Sequence, residues 1–202
     1  MTDIENAFGY DIRIPEHIRL IFMWLCQDVA ALQSKWDFYL ELYGNEENTA
    51  LLSELASWSF NIVEEALRND MTMAISRLSD PSTSMRTKEN LSLATLVEKC
   101  LDIPDLAQRL SGFQAACQPV SNWRNKHVGH NDLHTKIHPR DNPLPGITKN
   151  QIDEIINHAS EILKIVILHY ANGDLYFHTV ARGDAKDLIF WLKSGRDHHQ
   201  SA

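Results

Sequence analysis

The sequence predicts an all-α protein, a bundle of long antiparallel helices with one or two short additional helices. Three observations carry this. Apolar residues return at steps of three and four over long stretches, helix-starting and helix-ending residues bound those stretches, and no alternating run is long enough for a sheet. There is no internal repeat and no low-complexity tract, so the 202 residues are read as one domain, 1–202.

The elements follow in order. Residues 1–14 form an N-terminal arm, acidic and polar, without the apolar stretch of a signal peptide. From Pro15 to Tyr43 a single stripe runs through Ile18, Phe22, Leu25, Val29, Leu32 and Trp36, with Pro15 suited to a first turn and Gly44 to the position after the last. A second long helix is expected from about Glu47 to Leu78, with Leu51, Leu55, Trp58 and Ile62 on one face, ending before Pro81. The tryptophans at 24, 36 and 58 are assigned to the core. A shorter helix is expected around Leu91 to Leu101. The next opens with Pro104 in its first turn and carries Pro119, which predicts a kink or break ahead of the following segment.

Residues 130–147 hold three prolines and Gly146 and read as a loop. Thr148 with Gln151 makes a capping box for a helix through Ile152, Ile155, Ile156, Ala159, Ile162, Leu163, Val166 and Ile167, which stops at Asn172-Gly173. Residues 175–180, LYFHTV, read as an extended connector. Asp184 caps a last short helix closed by Gly195, and 196–202 is expected to be a disordered tail.

Composition narrows the function. The longest apolar run, Leu20 to Cys26, is far too short for a bilayer, and a cytoplasmic protein without a membrane partner is expected. Three widely spaced cysteines, with no CxxC pair, read as buried small hydrophobes. A formal charge of −8 weighs against non-specific coating of nucleic acid, and no DNA partner is expected. The charge is unevenly spread, however. Between 122 and 140, Arg124, Lys126, Lys136 and Arg140 stand with four histidines against Asp132 alone.

That basic stretch contains NWRNKHVGHND, residues 122–132. On an unbroken helix Arg124 and His130 would lie about 120° apart, because six residues turn about 600°. Gly129 changes this. If the helix stops near Val128, His130 is released to swing back towards Arg124, with Asn125 beside the arginine and Asp132 near enough to orient the imidazole. Arginine, histidine and an amide, without a metal, suit acid–base cleavage of RNA. Histidine moves protons near neutral pH, and the guanidinium fork meets the charge gathering on phosphate. One imidazole cannot take and give a proton at once, so the reading expects a homodimer. From spacing alone, a solvated helix end with cations near the C-terminal dipole is the simpler reading. His127, His130, His134 and His138 lack a closed ligand set, and no metal and no cofactor is expected.

The segment R-N-x4-H resembles the ribonuclease motif of the HEPN superfamily (higher eukaryotes and prokaryotes nucleotide-binding domains). AISRLSDP at 74–81, NLSLATLVEK at 90–99, WRNKHVGHND at 123–132 and GDAKDLIFWLK at 183–193 are similar to the abortive-infection group of that superfamily, over about residues 15 to 195. The resemblance implies a HEPN-like helical bundle and a metal-independent endoribonuclease, in phage defence or a toxin–antitoxin setting. It implies that Arg124 stabilises the scissile phosphate, Asn125 positions it and His130 is the acid–base residue. Asp132, Arg77 and Asp80 would support the site, and Trp123, Lys126 and His127 would contact RNA. Its partners would be the RNA substrate, a second copy, and an antitoxin or regulatory protein. The alternative is a catalytically silent module that binds nucleotide, RNA or protein. Two departures stand out: Gly129 occupies a position where alanine is expected, and Asp132 replaces the tyrosine of toxins silenced by nucleotidyl transfer.

Overall fold

The computed structural model describes residues 13–84, 87–127, 146–177 and 181–200; for Lys126, His127 and Gln200 it describes the backbone alone. The described elements are α1 (Glu16–Tyr43), α2 (Glu46–Ser79), α3 (Leu93–Lys99), α4 (Leu106–His127), α5 (Lys149–Ala171) and α6 (Ala181–Gln200). A minimal antiparallel hairpin, β1 (Thr83–Ser84) with β2 (Lys88–Glu89), pairs Thr83 with Glu89 and Ser84 with Lys88. The chain is all-α, as its periodicity predicts. No described helix is long and apolar enough to cross a membrane.

Contacts divide the chain into two compact units, the first within Met1–Val29 and Thr72–Phe177, the second within Ala30–Met71 and His178–Ala202. In the second, the α1–α2 turn is built from local hydrogen bonds. Gly44 N–H donates to Leu40 O at 2.9 Å. Asn45 Oδ1 accepts from Asn48 N–H at 2.8 Å, and the buried Asn48 amide donates to Glu41 O at 2.7 Å. A side chain at Gly44 would place its Cβ 2.2 Å from Leu40 O, so the turn tolerates no methyl group without a backbone shift. Gly44→Ala is therefore expected to lower unfolding free energy by about 1–3 kcal/mol, as strain at an over-determined turn does. Urea unfolding would read this, and an unchanged midpoint would refute it.

From that turn the two helices run antiparallel. Tyr43 OH donates to Phe60 O at 2.9 Å, Tyr39 OH to Glu64 at 3.1 Å, and Lys35 pairs with Asp70. Ala185 and Ile189 of α6 join Leu42, Leu51 and Leu52 in a buried cluster, flanked by Phe38, Tyr43, Phe60 and Leu192. Lys193–Glu47, Arg182–Glu41 and Arg196–Glu54 pairs run alongside it. They are exposed or half-exposed, so they contribute little beyond register.

The structure corrects several sequence expectations. Trp58 is 84% exposed and Ile62 63%, although the spacing places both on one face with Leu51 and predicts a core position for the tryptophan. The cause is Ala56, whose backbone leaves helical geometry (φ −158°, ψ 63°). The helix resumes out of phase, so that Leu51 and Leu52 point inward before the kink, while Phe60 and Glu64 meet α1 after it. Trp24, in the first unit, is also exposed, whereas Trp36 is buried. α6 begins at Ala181 and passes through Gly195 to Gln200 instead of ending at a short DLIFWLK segment. Leu192 and Arg196 continue the face begun by Ala185 and Ile189, and the Arg196–Glu54 pair extends it past a glycine that costs only about 1 kcal/mol in a helix.

The first unit contains α3, α4 and α5 with the first part of α1 and the end of α2. Thr148 and Gln151 form the expected capping box on α5, and Asn172 ends it in left-handed geometry (φ 47°). Ile155, Ala159, Ile162, Leu163 and Val166 are fully buried, as their spacing predicts. α4 packs along α5 in antiparallel sense: Gly112 lies beside His158, while Asp102, just before α4, reaches His169 and Tyr170. Pro104 falls ahead of α4 and not in its first turn. The break expected at Pro119 is absent, and α4 runs through it to His127. Cys117 and Val120 are buried on either side of the proline. All three cysteines are buried, and burial pushes the Cys26 and Cys117 thiols up to about 12 and Cys100 to about 11, so none is reactive.

Asp102 clasps the end of α5. It accepts from Tyr170 OH at 2.6 Å and contacts His169 Nε2 at 3.1 Å. The Tyr170 hydrogen bond chiefly, with His169 assisting, holds its carboxyl below the usual carboxylate range. A depressed folded-state pKa adds stability that is present above the unfolded value of about 3.9 and lost as pH falls through the folded value. Tyr170→Phe is thus expected to be less stable than native at pH 7, with the gap closing below about pH 4. Thermal unfolding at the two pH values would show this, and a gap independent of pH would contradict it.

Candidate functional site

The site is built where the end of α2 meets the last turns of α4, within the first unit. α2 ends in ISRLSD because Pro81 cannot continue it, and Asp80 N–H closes the last turn on Arg77 O at 3.3 Å. Buried Ser76 bonds back to Thr72 O, and Ser79 to Ser76 O. The Ser79 hydroxyl also acts on the Cys117 thiol, which sets the end of α2 beside α4 two turns before Arg124.

The chain after Asp80 is pinned by a network. Asn90 donates through its amide to Pro81 O at 2.7 Å, and its backbone N–H reaches Ser82 O at 2.8 Å. Thr95 Oγ1 donates to Asn90 O at 2.6 Å, and Ser92 caps α3 by accepting from Thr95 N–H. These bonds tie together the 74–81 and 90–99 segments. Sequence reasoning named neither Asn90 nor Thr95. The S-x-x-T pattern at 92–95 is the signal that marks the cap.

Asp80 is half-buried, and that burial is the main influence on its carboxyl, raising its pKa. The positive charges of Arg124 and Arg77 act in the opposite direction and partly offset it. Asp80 therefore lies within electrostatic reach of both Arg77 and Arg124, two guanidiniums to one carboxylate. Arg124 is half-buried on α4. Its Nε and Nη2 both donate to Asn125 Oδ1, at 3.1 and 2.8 Å. Trp123 is half-buried beside it, and Lys126 and His127 occupy the final turn of α4.

His130 and Asp132 lie outside the described residues, as do His134 and His138. Among the described residues no group of three or more His, Cys, Asp or Glu is placed to hold a metal ion. A separate hollow of about 470 Å³ in the second unit, lined by residues including Tyr43, Asn45 and Glu46, contains none of the site residues expected from the sequence. Chemically, the arginine side offers a guanidinium held in one orientation, a second nearby, and a carboxylate that leaves the trio with net positive charge. This suits an anion bearing several oxygens.

No curated protein and no solved structure gives a significant match to the chain. A family model does: that of the HEPN domains named for AbiU2 matches residues 16–188, from the start of α1 into α6 and across every described residue of the site. The chain belongs to the HEPN_AbiU2 family, a group of HEPN-type domains associated with abortive infection.

Proposed function

We propose that this protein is a metal-independent endoribonuclease acting in abortive infection or a toxin–antitoxin setting. Its active centre would form where two copies bring their Arg124 and His130 together. The observation that carries the reading is the state of Arg124, a half-buried residue whose guanidinium is oriented by a neutral amide, with Asp80 in the field of both this arginine and Arg77. Such a group binds the phosphodiester and meets the charge that builds on its non-bridging oxygens in the transition state. His130 takes the 2′-hydroxyl proton in one copy and protonates the leaving 5′-oxygen from the other. The bond from phosphorus to the 5′-oxygen breaks as the 2′-oxygen bonds to phosphorus, leaving a 2′,3′-cyclic phosphate and a free 5′-hydroxyl. Trp123, Lys126 and His127 contact the flanking RNA. An antitoxin or regulatory protein would hold the activity in check.

The test is cleavage of total tRNA by the native protein in EDTA, with the product ends identified. Cyclic phosphate ends formed in chelator support the reading. RNA that stays intact in EDTA and also with added zinc or manganese, while still being bound, favours the silent binding module. The net charge of −8 is the observation on that side.

A further inference from the structure

A guanidinium has two edges that can fork onto a planar anion: the side formed by Nε and Nη2, and the end formed by Nη1 and Nη2. In Arg124 the side edge is already taken, since both of its nitrogens donate to Asn125 Oδ1, at 3.1 and 2.8 Å. Successive residues on a helix do not face each other, so the contact is not a by-product of helical geometry. The arginine folds across its neighbour to make it. The acceptor, moreover, is neutral.

We infer that Asn125 is a positioning residue that grips Arg124 by its side edge without neutralising it, so that the end edge is the one presented to an RNA phosphodiester. This rests on the proposed function and assigns Asn125 a task different from touching the phosphate itself. Charge explains why an amide is needed. Arg77, Asp80 and Arg124 together carry one net positive charge. A carboxylate at position 125 would hold the same edge with a stronger, charge-assisted bond and bring the cluster to neutrality. Asparagine provides the grip and preserves the charge.

The test uses the full chain and a 2′-O-methyl RNA oligonucleotide, which lacks the attacking hydroxyl and so reports binding alone, by fluorescence anisotropy. Arg124→Ala and Asn125→Ala are each expected to weaken binding by roughly tenfold, the scale of one lost hydrogen bond to a charged group. The double variant is expected to match Arg124→Ala within about twofold, because Asn125 acts only through the arginine. Asn125→Asp, nearly isosteric and still able to hold the fork, is expected to bind at least as poorly as Asn125→Ala. Losses that multiply in the double variant would mean that Asn125 touches the RNA itself. Native affinity in Asn125→Asp would mean that its neutrality is irrelevant. Either result overturns the inference.

Failure of the proposed function looks different: the native protein would then bind no better than Arg124→Ala. In that case the Arg124 Nε–H resonance decides. Its exchange with water is expected to be slow in the native protein and fast in Asn125→Ala, and equal exchange in both overturns the inference.

Discussion

Replacing Arg124 by alanine is expected to lower RNA cleavage about 100- to 1000-fold, the cost typical of removing one preorganised donor from a charge-stabilising site. The unfolding midpoint should barely move. The hydrogen bonds of the guanidinium run to the adjacent exposed Asn125, and the residue is only half-buried. His130→Ala is expected to fall at least as far, since a general acid–base group contributes about 10²- to 10⁴-fold. If the two act as one unit, the double variant will lose little more than either single one. Mixing native protein with His130→Ala sharpens the test. In a site that needs an imidazole from each copy, a mixed dimer of native and His130→Ala chains is inactive, so activity should fall with the square of the native fraction. Cleavage at native rates by either single variant would remove 124–130 from the chemistry. Activity that falls only in proportion to the native fraction would remove only the shared site.

The largest expected loss of stability is at Phe113. Its ring is fully buried in α4, on the face that also carries Cys117 and Val120. Phe113→Ala is expected to cost about 3–5 kcal/mol, combining lost transfer energy with the cavity left behind. A domain of this size is stable by only about 5–15 kcal/mol, so the variant sits near the edge of folding. α4 also carries Arg124, eleven residues or about 16 Å further along the axis. Residual cleavage should therefore track the folded fraction through a urea titration, with the activity per folded molecule unchanged. A cost below about 1 kcal/mol would mean that the surrounding core collapses around the gap.

What the sequence made legible was mostly what local chemistry decides. Thr148 and Gln151 cap α5 through bonds spanning three residues, and Asn172 ends it through its own backbone, so both are visible from neighbours alone. The stripe on α5 is uninterrupted and every expected position is buried. Trp58 was misread because the phase change at Ala56 has no local signature: alanine is a good helix former, and the inward turn of Phe60 is secured by Tyr43 on another helix. α6 was cut short for the same kind of reason, since Arg196 finds Glu54 142 positions away. At the candidate site, the pairing of Asn125 with Arg124 is between neighbours yet was not foreseen, because residue types do not reveal which rotamer the arginine takes. The approach of Asp80 depends on how the end of α2 is set beside α4, which is tertiary.

The second unit joins an early hairpin to a late helix. Tyr43 and Phe60 are 17 residues apart, so α1 and α2 can pair soon after they are made. Glu41 and Glu47, however, await partners 141 and 146 residues downstream, on α6. At a synthesis rate of roughly 5–20 residues per second, that interval is on the order of 10 s. Throughout it, Leu42, Leu51 and Leu52 lack the Ala185 and Ile189 that complete their cluster. Translation therefore opens a window in which the nascent chain is a substrate for chaperones, and a stop codon ahead of α6 would make that window permanent.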